Sequence, residues 1–244
     1  MTDWPESWIR PDWPAPRRVR ACVTTRSGGV SQAPFDGFNL GDHVGDVPER
    51  VSANRQCLQR LLGCEPAWMS QIHSNCVVEA DPRSCPTADA CWTGEAGIAC
   101  AVLTADCLPV LFCDLDGTRV AAAHAGWRGL AAGMLEATVA AMAVPGPKLI
   151  AWLGPAIGPA VFEVGGEVRD AFISRHSACF EAFTPSHRTG HFMADIYQLA
   201  RIRLAACGVT AVFGGGFCTV SDPRFYSYRR AARTGRFASL IWLV

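Results

Sequence analysis

Between Ile98 and Ala123 the chain reads Ile98-Ala99-Cys100-Ala101-Val102-Leu103, then Pro109-Val110-Leu111-Phe112-Cys113, then Val120-Ala121-Ala122-Ala123. Asp106 and the tetrad Asp114-Leu115-Asp116-Gly117 break the runs. Each run is too short for a helix and is bounded by turn formers, so each reads as a buried strand. Asp-Gly between two apolar runs is a hairpin signal, which predicts antiparallel strands here.

Working outward, Val19 to Thr25 reads as another strand, and the Trp- and Pro-rich residues 1–18 before it as an irregular arm that lays its tryptophans on the body. Arg26 to Asp46 is polar, glycine-bearing and without periodicity. A loop of that length is more often functional than a mere connector. Pro48 to Leu62, closed by Gly63, is a helix started by proline and ended by glycine. Leu130 to Met142 places Met134, Leu135, Val139 and Met142 on one helical face. Lys148 to Leu153 reads as a strand, Val164 to Ile173 and Ala194 to Ala206 as helices, and Phe237 to Val244 as a final strand. The elements mix without the regular alternation of a doubly wound sheet. The predicted class is therefore α+β, one domain over residues 1–244 with mixed or antiparallel sheets packed against helices.

Composition narrows the function. With 244 residues, 50% hydrophobic and 18% charged, the chain can bury a large core. Lys+Arg and Asp+Glu balance at 22 each, and no basic run interleaves with aromatics, so neither nucleic acid nor a membrane surface is an expected partner. Twelve cysteines would suit disulfides in a secreted protein, but Met1 to Trp8 shows no export signal and no Cys-x-x-Cys pair occurs. A reducing, cytoplasmic setting with most cysteines as small core residues is the expectation.

Cys107, in Ala105-Asp106-Cys107-Leu108, and His124, in Ala123-His124-Ala125-Gly126, each stand at the end of an apolar run. His73, in Gln71-Ile72-His73-Ser74, has the same setting. A lone buried imidazole usually belongs to the core. Two beside small neighbours, with one thiol, form instead the ligand set of a catalytic zinc with an open position; copper also suits these donors. A competing chemistry uses Cys107 as a nucleophile with His124 as its base, in a thiol hydrolase or amidase. A binding module without turnover is the third reading.

Six separated segments carry a resemblance. They are Phe38-Asn39-Leu40-Gly41-Asp42-His43-Val44-Gly45-Asp46; Gln71-Ile72-His73; Thr104 to Val110; His124-Ala125-Gly126-Trp127-Arg128-Gly129; Gly154-Pro155-Ala156-Ile157-Gly158 with Phe162-Glu163-Val164-Gly165; and Tyr226-Ser227-Tyr228-Arg229-Arg230 with Thr234-Gly235-Arg236. In that order, over nearly the whole chain, they resemble the YfiH-type family. The resemblance implies zinc on His73, Cys107 and His124. It also implies one of several activities: polyphenol oxidation of a laccase-like kind, purine nucleoside phosphorolysis (methylthioadenosine included) with adenosine deamination, or removal of wrong amino acids from cell-wall precursors. Two departures stand out. Ala231 and Ala232 follow the paired arginines where the resemblance leads one to expect an acid and a glycine, and Cys91-Trp92 replace smaller or aliphatic residues.

Chemistry ranks these activities. Several copper ions need many imidazoles, and the chain has six histidines, of which His176, His187 and His191 fall in a polar segment. One zinc suits deamination, for which Asp106 and Glu163 are the candidate carboxylates. Phosphorolysis needs a phosphate site, for which Arg26, Arg128 and Arg229 (or Arg230) are candidates. Phe38, Trp127 and Phe162 could wall a purine, and His43 in the long polar loop could touch substrate. A zinc enzyme acting on a purine nucleoside and phosphate is the resulting expectation.

Overall fold

Asp114 makes the hairpin that the sequence announces. Its carboxylate accepts the backbone N–H groups of Thr118 (2.7 Å) and Arg119 (2.8 Å) and the Thr118 hydroxyl (2.6 Å), while Gly117 takes φ 65°. The computed structural model describes residues 4–244. In chain order its elements are β1 (Val19–Val23), α1 (Pro48–Leu62), β2 (Glu65–Ala67), β3 (Val77–Glu79), β4 (Ala90–Thr93), β5 (Ile98–Thr104), β6 (Leu108–Asp114) and β7 (Val120–Ala125). There follow α2 (Trp127–Ala132), α3 (Met134–Met142), β8 (Leu149–Leu153), β9 (Glu163–Gly165), α4 (Gly166–Ile173), β10 (Phe183–Pro185), β11 (His191–Ala194), α5 (Ile196–Ala206), β12 (Ala211–Gly214) and β13 (Phe237–Leu243). The fold class is α+β, as expected.

Two sheets face each other. β6 and β7 form the middle of a six-stranded sheet in the order β12-β8-β6-β7-β4-β3, with Leu108 opposite Ala125 and Cys113 opposite Val120. Alternate side chains serve opposite layers. Val110 and Phe112 enter the core shared with Leu130, Met134 and Leu135 of the helices, whereas Leu111 and Cys113 meet Cys100 and Val102 of a second sheet, β1-β13-β5-β2. That second sheet buries its other face, through Ala99, Ala101 and Leu103, beneath α1 and the N-terminal tryptophans. Both central strands are covered on two sides, which explains why they read as unbroken apolar runs.

The structure corrects several expectations. β5 does not pair with β6; it pairs antiparallel with β13, Leu103 opposite Ala238, and so the three apolar runs belong to two sheets. The chain crosses between them at Ala105-Asp106-Cys107, where Asp106 takes φ 88°. The helix expected over 130–142 is two helices, because Gly133 at φ 101° breaks the ladder, and the first begins at Trp127. The segment from Val164 starts as strand and turns helical at Gly166. In α5 the Asp195 carboxylate accepts the N–H groups of Tyr197 and Gln198, which fixes the start at Ile196. The expected arm holds from Trp4: Trp4 and Trp8 are buried, and the Trp4 indole donates to the Leu61 carbonyl. Residues 1–3 lie outside the described residues. The long loop 26–46 is irregular and is pinned by Asn54, whose amide donates to Ser31 Oγ and to the carbonyls of Gly37 and Asn39. Among the described residues no helix is long and apolar enough to cross a membrane.

Candidate functional site

His73, Cys107 and His124 come together. One donor atom from each lies within 4.8 Å of the others, although the three residues come from a loop, the crossing between sheets, and β7. Cys107 Sγ stands 3.8 Å from His73 Nε2, and the two imidazole rings meet edge to face at 4.8 Å between centroids. Gly126 closes the floor beneath them: a Cβ there would lie 2.9 Å from Cys107 Sγ and 3.0 Å from His73 Cδ2. Gln71 clips the His73 loop to the end of β5, its amide donating to the Leu103 carbonyl (2.9 Å) and accepting the Leu103 N–H (2.8 Å).

Asp89, fully buried just before β4, is the residue that sequence reasoning missed. Its carboxylate accepts from His124 Nδ1 at 2.8 Å and from the Ile72, His73 and Ser74 backbone. Burial opposes its charge, yet the hydrogen bonds from His124 and Ser74 hold it far below the usual carboxylate range. The other charges follow. Burial alone would raise the Cys107 thiol, but His124 and His73 beside it bring it down to about 6. Burial alone would lower His124, but the Cys107 sulfur and the Asp89 carboxylate raise it to about 9. Near neutral pH the pair is thiolate and imidazolium, or two deprotonated donors once a cation takes the place of the proton.

The triad opens into a cavity of about 360 Å³. Asp106, His43, Arg128 and Arg229 line it, as do Trp127 and Phe162. Sequence reasoning did not single out two further lining residues, Tyr228 and Arg236, although both fall within its last resemblance segment. Burial and the nearby Arg236 charge lower the His43 pKa. Asp106 has both oxygens engaged, Oδ1 by the Thr219 hydroxyl (2.6 Å) and Oδ2 by the Arg229 N–H (2.6 Å).

Three predicted residues lie elsewhere. Glu163 does not line the cavity, since its carboxylate turns to the Ser186 hydroxyl and to Arg188. Arg26 pairs with Asp36 at 2.7 Å and lies over the Tyr226 ring. Phe38 is 3% exposed and packs against Trp8 in the layer under α1, so it cannot wall a ligand. Arg230, the alternative to Arg229, spends its guanidinium on the carbonyls of Thr219, Val220 and Phe225.

Residues 20–244 match the family described as multi-copper polyphenol oxidoreductase laccase. The chain belongs to this family. Among relatives within it, the purine nucleoside phosphorylase PA4543 of Pseudomonas aeruginosa is 67% identical, covering 97% of this chain and 98% of that one. The purine nucleoside phosphorylase YfiH of Escherichia coli is 51% identical over 97% and 98%. The crystal structure of the Neisseria meningitidis protein NMB0706 superposes with a TM-score of 0.95 at 51% identity, over 98% of this chain and 99% of that one. The candidate site of this chain is thus a His-Cys-His triad with donor atoms close enough to share one metal ion, opening into an arginine-lined cavity.

Proposed function

We propose that the chain is a zinc-dependent purine nucleoside phosphorylase, taking a nucleoside and inorganic phosphate in the cavity above His73, Cys107 and His124. The observation that carries this reading is the charge of that cavity. Arg128, Arg229 and Arg236 all line it, and none of them forms an ion pair with an acidic side chain among the described residues. Cations gathered in one cavity without acid partners call for an anionic ligand, and guanidinium forks suit phosphate. The names carried by relatives at 67% and 51% identity support the same reaction.

The donor set fits zinc. One thiolate and two imidazoles leave an open position, and a carboxylate already orients the His124 ring. When bound, the ion would supply Lewis acidity at the cavity floor. The chain's own residues do the rest. Arg128, stacked over Trp127 at 4.4 Å, has its guanidinium free to grip phosphate. Arg229 is steadied by the carbonyls of Val161 and Glu163 (3.0 and 3.3 Å), which aims it into the cavity beside Phe162. Tyr228, Phe162 and Trp127 offer flat apolar walls to a purine. Phosphorolysis forms a bond from phosphate oxygen to the sugar's anomeric carbon while the base leaves with the C–N electron pair and takes a proton. That proton is the one phosphate gives up as its oxygen bonds to carbon, and His43 is the imidazole in the cavity able to pass it on, accepting at one ring nitrogen and donating from the other.

Deamination of adenosine is the finer part of this reading, and the geometry favours phosphorolysis over it. A shuttling carboxylate is needed, but Asp106 is held by Thr219 and Arg229, and Glu163 faces Ser186. A second reading has its own observation: Asp89, His124 and Cys107 also stand in the order of acid, base and thiol nucleophile, which suits a thiol hydrolase or amidase.

Purified protein assayed with inosine, adenosine and methylthioadenosine, with and without phosphate, separates the readings. Base release that requires phosphate, in protein carrying one zinc per chain, is the expected result. Phosphate-independent base release, or activity abolished by iodoacetamide in protein free of metal, would overturn it.

A further inference from the structure

Asp89 is the most heavily engaged side chain around the site, and its partners come from two ligand-bearing segments. Oδ1 accepts from the His73 N–H (2.9 Å) and from His124 Nδ1 (2.8 Å); Oδ2 accepts from the N–H groups of Ile72 (3.2 Å) and Ser74 (2.6 Å) and from the Ser74 hydroxyl (2.7 Å). The Asp89 carbonyl accepts the His124 N–H as well, at 2.7 Å. A buried carboxylate with five donors cannot move without stranding several of them.

Two consequences follow for the triad. First, a carboxylate can only accept, so in the neutral ring Nδ1 of His124 carries the proton and Nε2 is the nitrogen left with a lone pair toward Cys107 and His73. Second, the donors from Ile72, His73 and Ser74 wrap one carboxylate, and that wrapping holds His73 at φ 63°, a conformation costly for a residue with a Cβ. The strained turn is what points the His73 ring at Cys107.

From this geometry we infer that Asp89 is the positioning residue of the site, one carboxylate that fixes the tautomer of His124 and the backbone of His73 together, so that two ligands from distant segments form a single preorganised donor set. The inference rests on the zinc reading of the triad but not on the reaction assigned to it. The same carboxylate serves both ligands, so they are coupled: loosening either segment disturbs the other through Asp89.

Asp89→Asn separates this role from simple stabilisation. The asparagine NH₂ must face one set of donors. At the Oδ2 position it opposes the Ile72 and Ser74 N–H groups, and at the Oδ1 position it opposes the His73 N–H and forces Nδ1 of His124 to accept, moving the ring proton onto Nε2, the atom needed by the ion. Zinc affinity measured by chelator competition should fall about 10- to 100-fold. In ¹⁵N-histidine spectra of chelated protein recorded on the alkaline side of about pH 9, where the ring is neutral, the wild-type His124 should show its proton on Nδ1, and the variant a shift toward Nε2 or an averaged ring. Ser74→Ala removes one donor only and should give an intermediate loss of affinity with cooperative unfolding retained, which settles the matter if Asp89→Asn does not fold. Affinity unchanged in a folded Asp89→Asn variant, or in Ser74→Ala when the first is unfolded, overturns the inference. If zinc affinity falls as expected but no nucleoside is cleaved by the wild type, the positioning role stands and the phosphorylase reading fails. If the wild type binds no zinc, the zinc reading fails, and the spectra alone decide: a His124 ring with the same tautomer in wild type and Asp89→Asn overturns the positioning role.

Discussion

Replacing Gly126 by alanine should damage the site while sparing the fold. At φ −59° and ψ 157° the backbone accepts any L-residue, so a methyl group brings no conformational strain. Losing the entropy of an unfolded glycine stabilises by about 0.4–1 kcal/mol, which offsets a cost of similar size for alanine at a helix N-cap. Unfolding should therefore move by about 1 kcal/mol or less, roughly 2–4 °C for a chain of this size. The ligands fare worse. The new Cβ would stand 2.9 Å from Cys107 Sγ and 3.0 Å from His73 Cδ2, whereas apolar contacts settle near about 3.5–4.0 Å. Sulfur, ring or both must retreat by about half an ångström or more, beyond the roughly 0.2 Å tolerance of a metal–ligand bond. Zinc affinity should drop about 10- to 100-fold, as it does when a ligand loses its orientation. Chelator competition beside thermal unfolding reads both quantities on one sample. Wild-type affinity with an unchanged midpoint would show that the floor is compliant and that the close approach of Gly126 does not shape the triad.

Cys107→Ala should abolish zinc binding; zinc retained after dialysis would refute the ligand assignment. His124→Ala should lose zinc and also cost stability toward the low end of the roughly 3–5 kcal/mol of a broken buried pair, since Asp89 keeps its donors from residues 72–74; denaturant unfolding measures it. In chelated protein the depressed Cys107 thiol contributes stability that is lost as pH falls through about 6, and the raised His124 contributes stability that is lost as pH rises through about 9. Alkylation of Cys107 by iodoacetamide should accordingly reach half its limiting rate near pH 6, and an inflection near 9 would mean that no ion pair forms. Phe112→Ala, at a fully buried position of the central sheet, should cost about 3–5 kcal/mol in urea unfolding, and a cost below about 1 kcal/mol would contradict the packing of β6 against the helices.

What was legible in the sequence was local chemistry. The Asp114–Gly117 hairpin and the proline-started α1 are each decided by residues within a few positions of one another, and they stand where expected. The pairing of β5 was not legible, because its partner β13 arrives from the far end of the chain and the same apolar run would pair equally well with β6. The triad could be seen because Cys107, His73 and His124 each end an apolar run beside small or polar residues, whereas most of the twelve cysteines lie inside such runs. Asp89 could not, because a single aspartate before an apolar run looks like any turn, and only the folded chain brings Ile72–Ser74 and His124 around it. Phe38 and Arg26 show the converse failure. Both sit in segments that bear on the site, yet a motif does not say which way a side chain faces, and these two face the α1 layer and Asp36.

The family description speaks of several copper ions, and the donors of this chain bear on that. Of six histidines, His73 and His124 belong to the triad and His43 lines the same cavity outside it. His191 lies in β11 beside Thr189, His176 precedes the segment 177–182, and His187 follows β10. Among the described residues His73, Cys107 and His124 are the one group of three or more potential ligands within reach of a common ion. A multicopper centre builds each of its sites largely from imidazoles, so donors sufficient for one ion cannot be shared among several. What the chain places around its single donor set is instead three arginines and flat apolar walls, the surroundings of an anion and a planar base. Electron transfer between metals has no use for three guanidinium groups without acid partners, whereas the proposed transfer of a sugar from a base to phosphate would use them.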